Sequence, residues 1–193
     1  SRKVLKAMRR GGDARSYRAL IERARASVPG LAVRTTFIVG FPGEGEAEFE
    51  ELLDFVRELR FDHLGVFSYS WQEENPGAAL GDPIDEAEKL RRRDALLALQ
   101  QDIALSHNRR LIGTTQEALV AGPLAEMDLL LEGRLRRQAP EIDGRLLIND
   151  GSPTPGSIVE VEISDAHPYD LVGGVVRVLH SGTAAAVRLP VVG

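Results

Sequence analysis

Arg34–Ala47 reads RTTFIVGFPGEGEA, and this stretch decides the fold. From Val33 to Phe41 nearly every residue is apolar or β-branched, with no alternation. Such a run predicts a strand covered on both faces, as in parallel sheets flanked by helices. Pro42 and Gly43 stop it. Phe49, Leu52, Leu53, Val56 and Leu59 then recur at three- and four-residue spacing, which marks one face of a helix capped near Gly45. Strand, glycine turn and helix make half of a βαβ unit. The turn falls at the carboxyl end of the strand, where ligands bind in open sheets and barrels alike. The plainer reading of the same residues is a buried strand with a breaker turn.

On the amino-terminal side, Val4, Leu5 and Met8 mark a short helix closed by Gly11–Gly12. Arg9 and Arg10 fall in its last turn, where cations suit the helix dipole. A second helix is predicted from Ala14 to Val28, with Pro29–Gly30 ending it. On the carboxyl side, Asp62–Ser70, DHLGVFSYS, predicts another short strand, and Trp71–Pro83 is a turn-rich loop. Asp85 and Glu88 have capping-box spacing for the longest helix. In that helix Leu90, Leu97, Ala104 and Leu111 repeat at seven beside Leu96 and Ile103, predicting one broad packed seam. Arg91–Arg93 reads as a solvated face, with partner contact as the alternative.

After Gly113 the period changes. Residues 115–121, 127–136, 145–149, 157–164, 171–179 and 184–191 read as short strands, and Asp143–Gly144, Asp150–Gly151, Pro155–Gly156 and Ser181–Gly182 supply turns. Val159, Val161 and Ile163 alternate with Glu160, Glu162 and Ser164, so one face is buried and the other wet. The fold class expected is therefore α/β followed by all-β. Residues 1–112 form the βαβ part, and residues 113–193 a small antiparallel barrel of the oligonucleotide-binding (OB) type.

Composition bounds the function. A 193-residue chain with 43% hydrophobic and 27% charged residues is globular, and no apolar run approaches a membrane span. There is no cysteine, hence no disulfide and no thiolate ligand within these residues. Residues 1–112 balance eighteen Lys/Arg against eighteen Asp/Glu, so residues 113–193 carry the whole net charge of −5. An acidic module is a poor non-specific binder of nucleic acid and a better surface for a basic partner. The four histidines have no metal-like spacing, FPGEGE lacks the GK[ST] of a phosphate loop, and no catalytic cluster stands out. The chain begins at Ser1 with a helix under way, and reads as a piece of a longer protein.

SRKVLKAMRR at 1–10, TTFIVGFPGE at 35–44 and DHLGVFSYS at 62–70 resemble the methylthiotransferases of the radical S-adenosylmethionine superfamily. EVEISDAHPYDLVGGVV, residues 160–176, resembles the TRAM domain of the bacterial members that modify a small-subunit ribosomal protein. The resemblance implies the carboxy-terminal part of a partly open, TIM-like β/α barrel followed by the TRAM domain. It implies S-adenosylmethionine and two 4Fe–4S clusters, whose cysteines would lie upstream of Ser1. The chemistry implied is reductive cleavage of S-adenosylmethionine to a 5′-deoxyadenosyl radical, then methylthio insertion at a carbon. That carbon is the β-carbon of an aspartate in protein twelve of the small ribosomal subunit. A modified adenosine of tRNA is the alternative substrate, and a non-catalytic ribosome tether the alternative class. On this reading the full-length protein is a cytoplasmic enzyme served by an electron donor such as flavodoxin or ferredoxin, without membrane or direct nucleic-acid contact. The 193 residues alone are inactive. The family pattern implies cofactor contacts at Arg10, Thr36, Ile38, Gly40, Phe67 and Ser68, with Glu44 one place late for the pattern's acid. Glu160 and Glu162 are the expected contacts to the basic protein substrate. At Asn75–Pro76 the chain departs from the glycine and threonine usual in the family.

Overall fold

The computed structural model describes residues 1–73, 78–125 and 127–182, in two compact units, Ser1–Ala104 and Leu105–Gly193. Asn75–Pro76 and the strand expected over 184–191 lie outside the described residues. No helix among the described residues is long and apolar enough to cross a membrane.

In the first unit α1 spans Arg2–Ala7 and α2 Ala14–Ser27. The first helix ends earlier than its glycines suggest. Arg9 takes a left-handed φ of 57°, its amide donates to the Lys6 carbonyl, and the Arg10 amide donates to the Leu5 carbonyl at 2.8 Å. This is the paired closure that normally uses glycine. It puts Arg9 and Arg10 beyond the helix rather than in its last turn. Asp13 caps α2, accepting from the Ser16 amide at 2.8 Å while its own amide donates to Ser16 Oγ.

The strand β1, Arg34–Val39, leads through α3, Glu46–Leu59, to β2, His63–Ser68. The two strands pair in parallel, Thr36 opposite Gly65 and Ile38 opposite Phe67. The βαβ unit is as the sequence predicts, but β1 is not covered on both faces. Phe37 and Val39 pack with Phe49, Leu53, Val56 and Phe61, whereas Arg34, Thr36 and Ile38 stay exposed. α3 and the longest helix pack on one face of this two-stranded sheet, and Arg34, Thr36 and Ile38 of the other face line a cavity.

The longest helix, α4, spans Glu86–Arg109. Its buried positions are Lys89, Arg92, Leu96, Gln100, Ile103 and Ala104, while Leu90 is 37% exposed. Leu96, Ile103 and Ala104 of the expected seam are inside, but Leu90 is not, and Arg92, expected in solvent, is buried with them. Burial is tolerable because both charges are paired and Gln100 is bonded through Nε2, although Gln100 Oε1 has no partner among the described residues. Lys89 Nζ reaches Asp82 at 2.6 Å, Arg92 reaches Glu44 and Glu88, and Gln100 Nε2 donates to the Phe61 carbonyl at 3.0 Å. Asp85 does cap the helix, accepting from the Ala87 amide at 3.2 Å, but Glu88 turns to Arg91 and Arg92 instead of closing the box.

In the second unit, β3 (Thr115–Leu124), β4 (Met127–Leu135), β5 (Leu146–Asp150), β6 (Ile158–Ala166) and β7 (Leu171–His180) close a barrel in the order β3-β4-β5-β7-β6. This is OB-like, but not wholly antiparallel: β5 and β7 run parallel, Leu146 opposite Leu171. The reason is parity, since five strands in a closed ring cannot alternate direction throughout. Val120, Leu146, Ile148, Val159, Val161 and Ile163 fill the core. Gly173 lets β7 pass close to β6. A Cβ there would stand 2.5 Å from the Glu162 carbonyl oxygen.

Gly45 is the amino-terminal cap of α3, with φ −88° and ψ −177°, and its amide donates to Glu48 Oε2 at 2.7 Å. That backbone suits any residue, and an added Cβ would meet only the end of the Glu48 side chain. Gly45→Thr should therefore change stability by less than about 1 kcal/mol in urea melts. A larger loss would show that the glutamate cannot move aside.

Candidate functional site

The first unit holds a cavity of about 470 Å³. It runs along β1 and is lined from both faces of that strand, by Thr35 and Phe37 as well as Arg34, Thr36 and Ile38, with Leu52 and Phe55 of α3 beside them. Because strand side chains alternate, Arg34, Thr36 and Ile38 share one face, and Phe67 projects beside Ile38 across the ladder. Ile38 is 40% and Phe67 63% exposed, an apolar pair left open to the cavity. Gly65, opposite Thr36, contributes no side chain to the wall. Val4 and Met8 of α1 and Tyr17 and Ile21 of α2 close it on the other side, and Arg10 lies on the lining. Among the described residues the Arg10 guanidinium has no carboxylate partner.

Of the six expected cofactor contacts, Arg10, Thr36, Ile38 and Phe67 come together on this one lining. Gly40 and Ser68 do not. Ser68 alternates away from Phe67, and its buried Oγ has no partner among the described residues. Gly40 is buried in a left-handed conformation, φ 76°, with the Lys89 stem where a Cβ would be. Its amide is already engaged, donating to Glu44 Oε1 at 2.9 Å.

Glu44 is the residue that pattern reading undervalued. Its carboxylate is 6% exposed, lines the cavity, and accepts from the Gly40 amide and from Arg92 Nη1 at 2.9 Å. The same Nη1 donates to the Glu44 carbonyl at 2.8 Å, and Arg92 Nε donates to Glu88 Oε1 at 2.7 Å. Burial on its own would lower the Arg92 pKa, but the hydrogen bonds to Glu44 and Glu88 outweigh it and raise it. Lys89 behaves alike: burial pulls it down, and Asp82 and Glu86 more than restore it. The sequence signals were the i,i+4 spacing of Glu88 and Arg92 and the spacing of Lys89, Arg92, Leu96, Gln100 and Ile103 along one face. Among the described residues no group of three or more His, Asp or Glu side chains is placed to hold a metal ion.

In the second unit Glu160 and Glu162 both lie on the wet side of β6, but they are not equivalent. Glu160 faces Arg177 in register and accepts from its Nη2 at 2.9 Å, so its charge is matched. Glu162 is exposed, as is Glu117, which stands opposite Glu160 on β3. The acidic character of this face therefore rests on Glu117 and Glu162.

Residues 112–176 match the TRAM domain family. The chain is 52% identical over 91% of its length to "Ribosomal protein uS12 methylthiotransferase RimO" of Anaeromyxobacter sp. (strain K), of which it covers 38%. It is 48% identical to the protein of that name from Anaeromyxobacter sp. (strain Fw109-5), over 91% of this chain and 37% of the relative. The like-named protein of Desulfotalea psychrophila (strain LSv54 / DSM 12343) is 44% identical over 91% of this chain and 40% of the relative. The chain matches a RimO-like carboxy-terminal part. It spans about two-fifths of the length of these relatives.

Glu88 gives this site a measurable pH signature. Hydrogen bonds from Arg91, then Arg92, lower its pKa from 4.5 to about 2. A carboxylate with a depressed folded-state pKa contributes stability that is complete above the unfolded value and lost as pH falls through the folded one. The stability difference between wild type and Glu88→Gln should thus be constant from about pH 5 to 8. It should shrink between pH 4.5 and about 2, followed by urea melts at each pH.

Proposed function

We propose that this chain is the carboxy-terminal part of a radical S-adenosylmethionine methylthiotransferase that adds a methylthio group to the β-carbon of an aspartate of ribosomal protein uS12. The observation that carries this is the similarity to RimO proteins over nine-tenths of the chain, TRAM domain included. On this reading the βαβ unit is part of a partly open, TIM-like barrel in a longer cytoplasmic protein. The ligands of its two 4Fe–4S clusters lie outside these residues, which contain no cysteine, and flavodoxin or ferredoxin supplies electrons.

The residues present fit the organic cofactor. Ile38 and Phe67 offer exposed apolar area for a planar ring, with Thr36 beside them for a polar edge. Arg10 offers a guanidinium, suited to a planar carboxylate. Gly40 sets the edge of the wall, and Ser68 Oγ stands behind it without a protein partner among the described residues. When bound, S-adenosylmethionine and the clusters supply the radical chemistry that activates an otherwise unreactive carbon. The part of these residues is to bind, to orient and to keep water off the apolar wall.

For the substrate, the acidic barrel favours a basic protein over a polyanion. The six arginines of residues 113–193 include Arg177, which is matched to Glu160, and Arg188, which lies outside the described residues. Glu162, with Glu117 nearby, would attract a basic ribosomal protein, and Glu160 sets the edge of that patch.

The test is the full-length protein that this reading implies, reconstituted with iron, sulfide and S-adenosylmethionine and offered uS12 and tRNA separately. Mass gain of one methylthio group on uS12, with none on tRNA, is expected. The reverse preference would make the substrate tRNA, and activity on neither would favour a tether. Glu162→Lys should raise KM for uS12 chiefly at low salt, where surface charges are least screened. No change at any salt concentration would place recognition on another surface.

A further inference from the structure

We infer that Arg92 is a positioning residue. Through Glu44 it fixes the Gly40 edge of β1, and so the wall against which the ligand sits. The ligand part of this inference rests on the cofactor reading above.

The argument is geometric. Glu44 Oε1 accepts from both Gly40 N and Arg92 Nη1, each at 2.9 Å, so one oxygen joins the end of β1 to α4. Arg92 Nη1 also holds the Glu44 carbonyl at 2.8 Å, gripping the turn by backbone as well as side chain. Behind it, Glu88 fixes Nε at 2.7 Å, and the Phe49 ring lies 5.5 Å from the guanidinium carbon. The guanidinium therefore has a single seat. Gly40 follows Val39 directly, and Ile38 with its exposed neighbour Phe67 is one residue further back on the ladder. Gly40 holds a left-handed φ of 76°, and Lys89 packs where its side chain would be, so neither backbone nor neighbour can absorb a shift freely. Losing the Arg92 contact would free the Glu44 carboxylate and, with it, the acceptor of the Gly40 amide.

A purely structural ion pair predicts that any loss of ligand affinity follows loss of stability. A positioning role predicts that the two separate. Arg92→Met leaves the Glu44 carboxylate buried and unpaired, which destabilises the fold. Adding Glu44→Gln removes that buried charge and restores stability without restoring the grip on the turn. Glu44→Gln alone keeps an oxygen for both Gly40 and Arg92.

In the intact, cluster-loaded protein we expect Arg92→Met to raise the dissociation constant and KM for S-adenosylmethionine about tenfold, with kcat changed much less. The double variant should regain thermal stability but keep the weakened affinity, and Glu44→Gln should lose less than about threefold. In the 193-residue chain without cofactor, hydrogen exchange of the Gly40 amide should quicken in Arg92→Met and in the double variant, but not in Glu44→Gln. Affinity that returns together with stability in the double variant would overturn the positioning role. Unchanged Gly40 exchange would overturn the grip itself. A wild-type protein that fails to bind S-adenosylmethionine would overturn the cofactor reading instead, and Gly40 exchange would then judge the grip alone.

Discussion

A buried arginine must find its counter-charge within the protein, and the first unit is arranged around that requirement. Removing a guanidinium and a carboxylate from water costs several kcal/mol per ion, and only close geometry with further hydrogen bonds offsets it. Arg92 meets the condition with Glu44, the Glu44 carbonyl and Glu88, all at 2.7–2.9 Å. Because the partners belong to the turn after β1 and to α4 itself, satisfying the charge also settles where that turn lies. Leu96 and Ile103 of α4 then pack with Val39, Phe49 and Phe61, so the apolar core and the ion pair specify the same arrangement. A hydrophobic contact tolerates sliding. A three-way hydrogen-bonded guanidinium does not.

The second unit is governed by closure instead. A five-stranded ring must contain a parallel neighbour pair, and here β5 and β7 take that place. Closure leaves the inner face to Val120, Leu146, Val159 and Val161, with every second residue turned outward. The outward set on β6 therefore follows from the core, and Glu160 and Glu162 share a face because Val159, Val161 and Ile163 must share the other. What closure does not determine is which acid stays unmatched. That depends on the neighbour in register, and Arg177 happens to stand opposite Glu160.

The legible parts of this fold were those written in hydrophobic period. The β1–α3–β2 unit, the caps at Gly45 and Asp85 and the alternation in β6 could all be read from spacing. The illegible parts were those in which charge and position disagree with that code. Three consecutive arginines look solvated, yet the middle one lies at a buried helical phase, with Lys89 and Gln100 on the same stripe. A search for apolar period passes over such a stripe, because Lys89, Arg92 and Gln100 are polar, and only spacing counted regardless of polarity reveals it. The open face of β1 was missed for the converse reason. Thr36 and Ile38 are as β-branched as any core residue, and only the placement of the helices shows that they face a cavity. Likewise Gly40 carries no hint in sequence that its amide is already used.

Those misreadings bear on function, because they lie at the candidate site. An exposed Ile38–Phe67 pair is unfavourable to leave in water, and each forgoes the exposed part of the roughly 1.5–3 kcal/mol that full burial contributes. Here the face is apolar, bordered by a guanidinium without a carboxylate partner among the described residues, and its edge is held by a buried ion pair. The barrel makes a different surface, with Glu117 and Glu162 exposed and charged. Small ligands are held by concave apolar walls with few polar groups, and macromolecules are steered by extended charge. The two units thus present two kinds of surface, a concave apolar wall in the first and exposed acidic side chains in the second. The stiffness supplied by Arg92 matters most to the first, where an ångström of displacement is a large part of the fit.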